Sequence, residues 1–226
     1  MNKNEIGAYA KKARRMDKDK MIEQVCTGKT VLDVGCIGQD RNFSADNWLH
    51  NKVRSMASKV DGVDILLPEI ELLKQKGYSM YSVDELQKMD TKYDVVLMAD
   101  VIEHVNDPVA FLNFYAPFLK EEGVMLITTP NSNRSNNFVN ILFNNTYSVN
   151  PEHTFWFCPK TLGEVIDRAK LVLHDFSWAP HYYTSKDIIG VYQKLKYFLG
   201  DVFISWRSNF SPNMIFIVKR NNSDGC

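Results

Sequence analysis

No stretch of the sequence approaches the roughly 18 consecutive apolar residues that a membrane-spanning helix needs. The opening residues, Met1 to Tyr9, are polar rather than a charged stretch followed by an apolar one, so no secretory leader is read there. Cysteine is scarce: Cys26, Cys36, Cys158 and Cys226 form no CxxC pair, which excludes a disulfide scaffold and a thiolate zinc site. Charge of one sign is not in excess, with 27 Lys plus Arg against 27 Asp plus Glu, so no global field draws the chain to nucleic acid or an anionic membrane. Internal repeats and low-complexity blocks are absent too. What remains is a cytoplasmic globular chain of 226 residues, 45% hydrophobic, enough for one domain around one sizeable core.

A basic cluster, Lys11, Lys12, Arg14, Arg15, Lys18 and Lys20, lies on a helix expected from about Glu5 to Val25 within an N-terminal segment 1–29. Mixed charge on an amphipathic helix reads as a solvated face, with a phosphate-bearing ligand as the sharper alternative. Beyond it, β-rich runs alternate with helical ones. Strands are expected at Thr30–Val34, Lys59–Ile65, Tyr78–Val83, Tyr93–Met98 and Val124–Thr128, and helices at Ala45–Ser58, Pro68–Lys76 and Pro108–Lys120, the last with Asp107 as N-cap. Parallel strands need crossovers, and helices are the usual ones. The last third offers two further strands, Leu171–Trp178 and Met214–Lys219, that fit a closing antiparallel pair. The fold class is α/β: a Rossmann-like, seven-stranded, mostly parallel sheet with helices on both faces and an antiparallel final strand.

Ligands of open α/β sheets bind outside the carboxyl ends of the strands, where strand order reverses. After the first strand comes Gly35-Cys36-Ile37-Gly38, a turn whose glycines let backbone approach a ligand closely. Asp64 ends the second strand, where a carboxylate can accept both hydroxyls of a ribose; its distance from Gly35 exceeds the usual spacing of about 20 residues and calls for an enlarged first crossover. Asp84 is expected to end the third strand, where it can accept an adenine amino group, although strand-end Asp residues also cap helices.

With these residues the sequence resembles class I S-adenosylmethionine-dependent methyltransferases. The likeness rests on Val31-Leu32-Asp33-Val34-Gly35-Cys36, on Val63-Asp64, on Tyr93 to Leu97 running into Asp100-Val101-Ile102-Glu103-His104-Val105, on Thr128-Thr129-Pro130-Asn131, and on Pro151 to Phe155 followed by Pro159-Lys160-Thr161-Leu162. It implies S-adenosylmethionine as cofactor, held by Asp33, Gly35, Cys36, Gly38, Asp64, Ile65, Asp84, Ala99 and Asp100. One departure stands out. The family's D-x-G-x-G-x-G loop has Ile37 and Gln39 at its second and third glycine positions here, which loosens the expected grip on the methionine end and also argues against a dinucleotide dehydrogenase.

A hydroxyl acceptor needs a base or a metal to become a nucleophile at neutral pH. Asp100, Glu103 and His104 form a D-x-x-E-H cluster after the fourth strand, and His153 can fold back over it. Locally this is similar to Hen-type small-RNA 2′-O-methyltransferases and to ubiquinone-biosynthesis O-methyltransferases. The resemblance implies His104, His153 and Glu103 as catalytic residues, and Asp100, Glu103, His104 and His153 as a ligand set for Mg²⁺, Mn²⁺ or Zn²⁺, the nitrogen donors favouring the latter two. A purely structural role for the same residues is the bland alternative.

Two segments are added to the sheet, and substrate choice is expected there. Residues 132–150 read as a lid with an apolar underside. Residues 180–212 contain an amphipathic helix over 187–208, whose stripe serves core packing, a homodimer contact or peripheral membrane contact. The expected activity is methyl transfer to a hydroxyl of a sugar or glycan-related small molecule, within glycan biosynthesis. An RNA 2′-O-methyltransferase is the rival enzyme, disfavoured by neutral charge, and a non-catalytic S-adenosylmethionine-binding module is the rival from another class.

Overall fold

A computed structural model describes residues 5–38, 43, 48–147, 149–180, 202 and 204–221. Apolar runs of β-branched residues bounded by turns give seven strands: β1 Thr30–Val34, β2 Lys59–Asp64, β3 Met80–Ser82, β4 Tyr93–Ala99, β5 Leu119–Pro130, β6 Leu171–Ala179 and β7 Asn213–Arg220. They form one sheet in the order β3-β2-β1-β4-β5-β7-β6. β1 to β5 are parallel, and β7 runs antiparallel between β5 and β6. The expected fold class is met, and the strand order reverses between β1 and β4, which puts a crevice at their carboxyl ends.

The strand alternation assigns each side chain to a face. Leu32, Val34, Val96, Met98, Met125 and Ile127 enter one core, against α1 (Ile6–Lys12), α5 (Val83–Gln87), α6 (Pro108–Tyr115) and α8 (Pro159–Arg168). Val31, Val95, Leu97 and Leu126 enter the other, against α2 (Lys18–Cys26) and α3 (Leu49–Met56). Asp107 caps α6 through its carboxylate and the Ala110 N–H (3.0 Å), as its position before Pro108 predicts. β3 is short and leads into α5; α4 (Leu67–Gln75) covers the β2–β3 end.

Two expectations are corrected. The N-terminal segment is not one helix, because Ala13–Asp17 leaves helical geometry to run beside the edge strand β6. There the Trp178 N–H donates to the Arg14 carbonyl (3.0 Å), the Met16 N–H donates to the Trp178 carbonyl (2.8 Å), and Asp17 starts α2 by capping the Lys20 N–H. Its basic residues stay exposed as expected apart from the half-buried Lys18, and three of them also take partners: Arg14 pairs with Asp175, Arg15 bonds the carbonyls of Ile204 and Ser205, and Lys18 reaches Asp100.

The second correction concerns residues 132–150, which contain α7 (Ser135–Asn144), buried in its first turn and exposed toward its C-terminal end, so that no apolar underside is covered. Ser135 and Asn137 are buried, whereas Ile141, Leu142 and Phe143 face outward. Hydrogen bonding holds the first turn, since the Asn137 amide donates to the Ser132 carbonyl (3.2 Å), and Asn137 lines the crevice. Of the expected helix Ala45–Ser58, residues 45–47 lie outside the described residues and the rest contains α3, and the expected helix over 187–208 lies outside the described residues except for 202 and 204–208, of which 202 and 204–206 are helical.

Gly62 shows how tightly the β2 face is packed. A Cβ there would stand 2.6 Å from Met80 Sδ, 2.8 Å from Cys36 Sγ and 2.9 Å from His50 Cε1. Gly62→Ala is therefore expected to destabilise the fold by about 1–3 kcal/mol through overpacking, read as a lowered midpoint in urea unfolding.

Candidate active site

The crevice at the strand ends is a cleft of about 870 Å³. That lies near the top of the roughly 300–1,000 Å³ range of small-molecule sites. Gly35 opens its floor. With φ of +65° it adopts the left-handed turn, and a Cβ would meet Val101 Cγ2 at 2.7 Å. Its N–H donates to the Val63 carbonyl (2.8 Å), tying the turn to β2.

Asp64 completes that tie. One carboxylate oxygen accepts the Ile37 N–H (2.9 Å), the other accepts the N–H groups of Ile65 (2.7 Å) and Leu66 (3.3 Å), and the side chain lies on the cleft wall while only 7% exposed. Burial raises its pKa, and the three N–H bonds hold the rise back. Gly38, Ile65 and Ala99 line the same cleft.

Asp100 follows β4 with φ of +55°, a left-handed conformation that costs a non-glycine residue energy and must be held by its neighbours. The Thr128 hydroxyl donates to one of its oxygens (3.0 Å), Lys18 Nζ to the other (2.6 Å), and its own N–H donates to the Thr128 carbonyl (3.0 Å).

Behind it sits Glu103 in a 3-10 turn, 1% exposed, with Oε2 accepting the Thr129 hydroxyl (2.9 Å) and Oε1 without a hydrogen-bond partner among the described residues. Burial, with the charge of Asp100 beside it, pushes the Glu103 carboxyl up to about 7. Its backbone carbonyl accepts the N–H groups of Thr154 (2.9 Å) and Phe155 (3.1 Å), which folds residues 150–157 over the cleft and delivers His153. The rings of His104 and His153 meet edge to face at 4.5 Å, and single ligating atoms of Glu103, His104 and His153 all lie within 4.8 Å of one another. Burial, then the nearby His104 and Arg134, holds His153 below the usual histidine pKa.

The family described as "Methyltransferase domain" matches residues 9–174, most of the chain. This chain belongs to that methyltransferase family. A ubiquinone biosynthesis O-methyltransferase from Haemophilus ducreyi is 30% identical over 117 residues, 46% of this chain and 46% of the relative. One from Ruegeria pomeroyi is 26% identical over 187 residues, 74% of this chain and 72% of the relative. The methyltransferase chain thus spans about half the length of most of the curated relatives it matches. A solved structure titled as a SAM-dependent methyltransferase from Archaeoglobus fulgidus shares the fold at a TM-score of 0.53 and 17% identity, covering 96% of this chain and 90% of the other. The chain is a class I S-adenosylmethionine-dependent methyltransferase, and the glycine turn, the buried Asp64 and the apolar wall of Val63, Ile65, Leu66 and Val83 fit a nucleoside cofactor.

Three expected cofactor residues are placed elsewhere. Asp33 is 2% exposed and does not line the cleft: its Oδ2 accepts from His50 Nδ1 at 2.8 Å beneath the turn. Cys36 is buried beside it, its thiol pKa raised by burial, and its carbonyl accepts the Trp48 indole N–H (2.8 Å), so its side chain packs the turn from below. Asp84 is exposed in the first turn of α5, because Ser82 and Glu85 form a reciprocal capping box that ends β3 early; Val83 reaches the cleft instead. The expected four-ligand set is also reduced, since Asp100 is engaged by Lys18 and Thr128 and only Glu103, His104 and His153 converge.

Sequence reading missed Lys18 as a site residue, although it belongs to the basic cluster, and it missed the cleft contributions of Phe111, Tyr115, Asn137 and Trp156, which carry no motif.

Two outcomes are expected. Asp64→Ala should weaken binding of S-adenosylhomocysteine by about tenfold or more, as loss of hydrogen bonds to a charged group does, measured by titration calorimetry. Glu103→Gln should raise stability at pH 8 and leave it nearly unchanged at pH 4. A carboxyl whose folded pKa is raised from 4.5 to about 7 favours the folded state below 4.5 and loses that contribution as pH climbs through 7. The full effect is on the order of 3 kcal/mol for a fully buried group, read from urea midpoints across pH.

Proposed function

We propose that this methyltransferase moves the methyl group of S-adenosylmethionine onto a hydroxyl oxygen of a small ring-bearing acceptor, a sugar or glycan-related molecule, with a histidine as base. The convergence of His104, His153 and the buried Glu103 at the cleft carries this reading. The cofactor supplies an activated sulfonium methyl, so the protein's work is alignment and removal of one proton.

Within this reading, Asp64 and the Gly35–Gly38 turn hold the nucleoside and methionine portions. Asp100, locked by Lys18 and Thr128, presents a carboxylate next to the methionine end. His153, kept neutral by its surroundings, takes the hydroxyl proton, and the acceptor oxygen then attacks in line. Aromatic walls from Phe111, Phe155 and Trp156 offer flat faces for a ring, while Asn131, Asn137 and Asn150 offer amide groups to its hydroxyls. The ubiquinone-biosynthesis relatives favour a phenolic ring over a sugar at the same position. Either acceptor would bring one hydroxyl to His153 in this reading.

A second reading adds a divalent cation. The unpartnered Oε1 of Glu103, buried among two imidazoles, favours it. Glu103, His104 and His153 would hold Mg²⁺, Mn²⁺ or Zn²⁺, and the ion would lower the pKa of a coordinated hydroxyl.

His153→Ala is expected to lower kcat by about 10²- to 10⁴-fold, the usual scale of general base catalysis, while S-adenosylhomocysteine affinity changes little. Transfer of labelled methyl to a panel of sugars, phenols and RNA checks the acceptor: product on RNA alone, or none on any acceptor despite cofactor binding, overturns the reading. Exhaustive EDTA treatment decides the cation. Activity lost on chelation and restored by Mn²⁺ or Zn²⁺ supports it, and activity unaffected by chelation removes it.

A further inference from the structure

We propose that Trp48 is a positioning residue for S-adenosylmethionine: its indole N–H sets the peptide plane between Cys36 and Ile37, and through that plane it orients Asp64. The inference rests on the reading that Asp64 holds the nucleoside, and it adds a residue that does not itself line the cleft.

Two hydrogen bonds in series carry it. The Trp48 indole N–H donates to the Cys36 carbonyl (2.8 Å), and the Ile37 N–H donates to the Asp64 carboxylate (2.9 Å). That carbonyl and that N–H belong to one peptide unit. In a trans peptide the two point in opposite directions, and no peptide bond among the described residues is cis. The plane is therefore held from the start of α3 on one side and from the end of β2 on the other. All four residues are buried, where bonds in a chain polarise one another. A flipped plane would aim the carbonyl oxygen at the carboxylate instead.

Trp48 stands where a helix usually places a capping residue. It precedes α3 with extended dihedral angles, yet Ser, Thr, Asp and Asn are the usual occupants of that position, and its side chain makes no cap bond. Its ring packs against Phe43 (centroids 5.2 Å apart), His50 (5.1 Å) and Tyr78 (5.4 Å), which fix where the indole N–H points. His50 gives the same turn a second hold, donating from Nδ1 to Asp33 Oδ2 (2.8 Å) two residues before Gly35. Ile37 explains why the hold matters. A glycine there would leave the backbone free to adjust to a ligand, whereas isoleucine narrows its choices and leaves the neighbours to preset the turn.

A double-mutant cycle on S-adenosylhomocysteine affinity, measured by titration calorimetry, tests the series of bonds. Trp48→Phe keeps an aromatic ring but leaves the buried Cys36 carbonyl unpaired, and the dissociation constant is expected to rise about five- to tenfold. In the Asp64→Ala background the same substitution should change it by less than about twofold, because its route to the cofactor is already cut. Trp178→Phe is the matched control. Trp178 is buried and its indole N–H donates to the Ala10 carbonyl (2.7 Å) away from the cleft, so affinity should stay at the wild-type value. Urea unfolding reports the fold of each variant. Should Trp48→Phe be too unstable to assay, benzothienylalanine at position 48, which keeps the bicyclic ring and lacks the N–H, takes its place. Unchanged affinity in the folded position-48 variant, or an equal rise in both backgrounds, overturns the proposal. Wild-type affinity in Asp64→Ala would remove the reading of Asp64 and this proposal with it, whereas a loss in Asp64→Ala without one at position 48 removes the proposal alone.

Discussion

The site depends on one carboxylate. Asp64 gathers the N–H groups of Ile37, Ile65 and Leu66, so the turn after β1 and the turn after β2 share a single anchor. Because charge-assisted bonds of this kind are short and strong, the two turns keep a fixed separation before any ligand arrives. Ile37 replaces a glycine of the family loop, and the bond from its own N–H to Asp64 shows how the turn keeps its course with a side chain present: the backbone is drawn to β2 and the isoleucine is buried. The wall of the cleft is thereby preorganised without the second glycine.

The second support is Glu103, used twice. Its carbonyl fastens residues 154 and 155, and its carboxyl sits buried between strand ends and imidazoles. Burying a carboxyl with one oxygen unpartnered is unfavourable for the ionised form. The neutral form, or a cation, relieves it. It stands beside His104 and His153, which come from separate segments.

The strands were legible in the sequence because buried parallel strands are written as apolar runs, as in Thr30 to Val34 and Tyr93 to Met98. Asp64 was legible as a strand-end acid. Asp84 was misread because its position looked the same, although Ser82 three residues before Glu85 carries the signature of a helix start. Asp33 was misread for another reason: its partner His50 lies in a helix whose packing no spacing rule foretells. The exposure of Ile141, Leu142 and Phe143 escaped because apolar residues at helical spacing read as a packed underside, whereas only the first turn of α7, held by Asn137, is buried.

The segment around Arg14 to Met16 binds the edge of the sheet at Trp178, and it also delivers Lys18 to Asp100. Covering an edge strand guards it against pairing with another chain. The same contact sets an order of events during synthesis on the ribosome. Residues 14–18 must wait until β6 has been made before they find their partner, so the pocket acquires its lysine only after Ala179 has left the exit tunnel, and a nascent chain halted earlier would carry an open sheet edge and an incomplete site together.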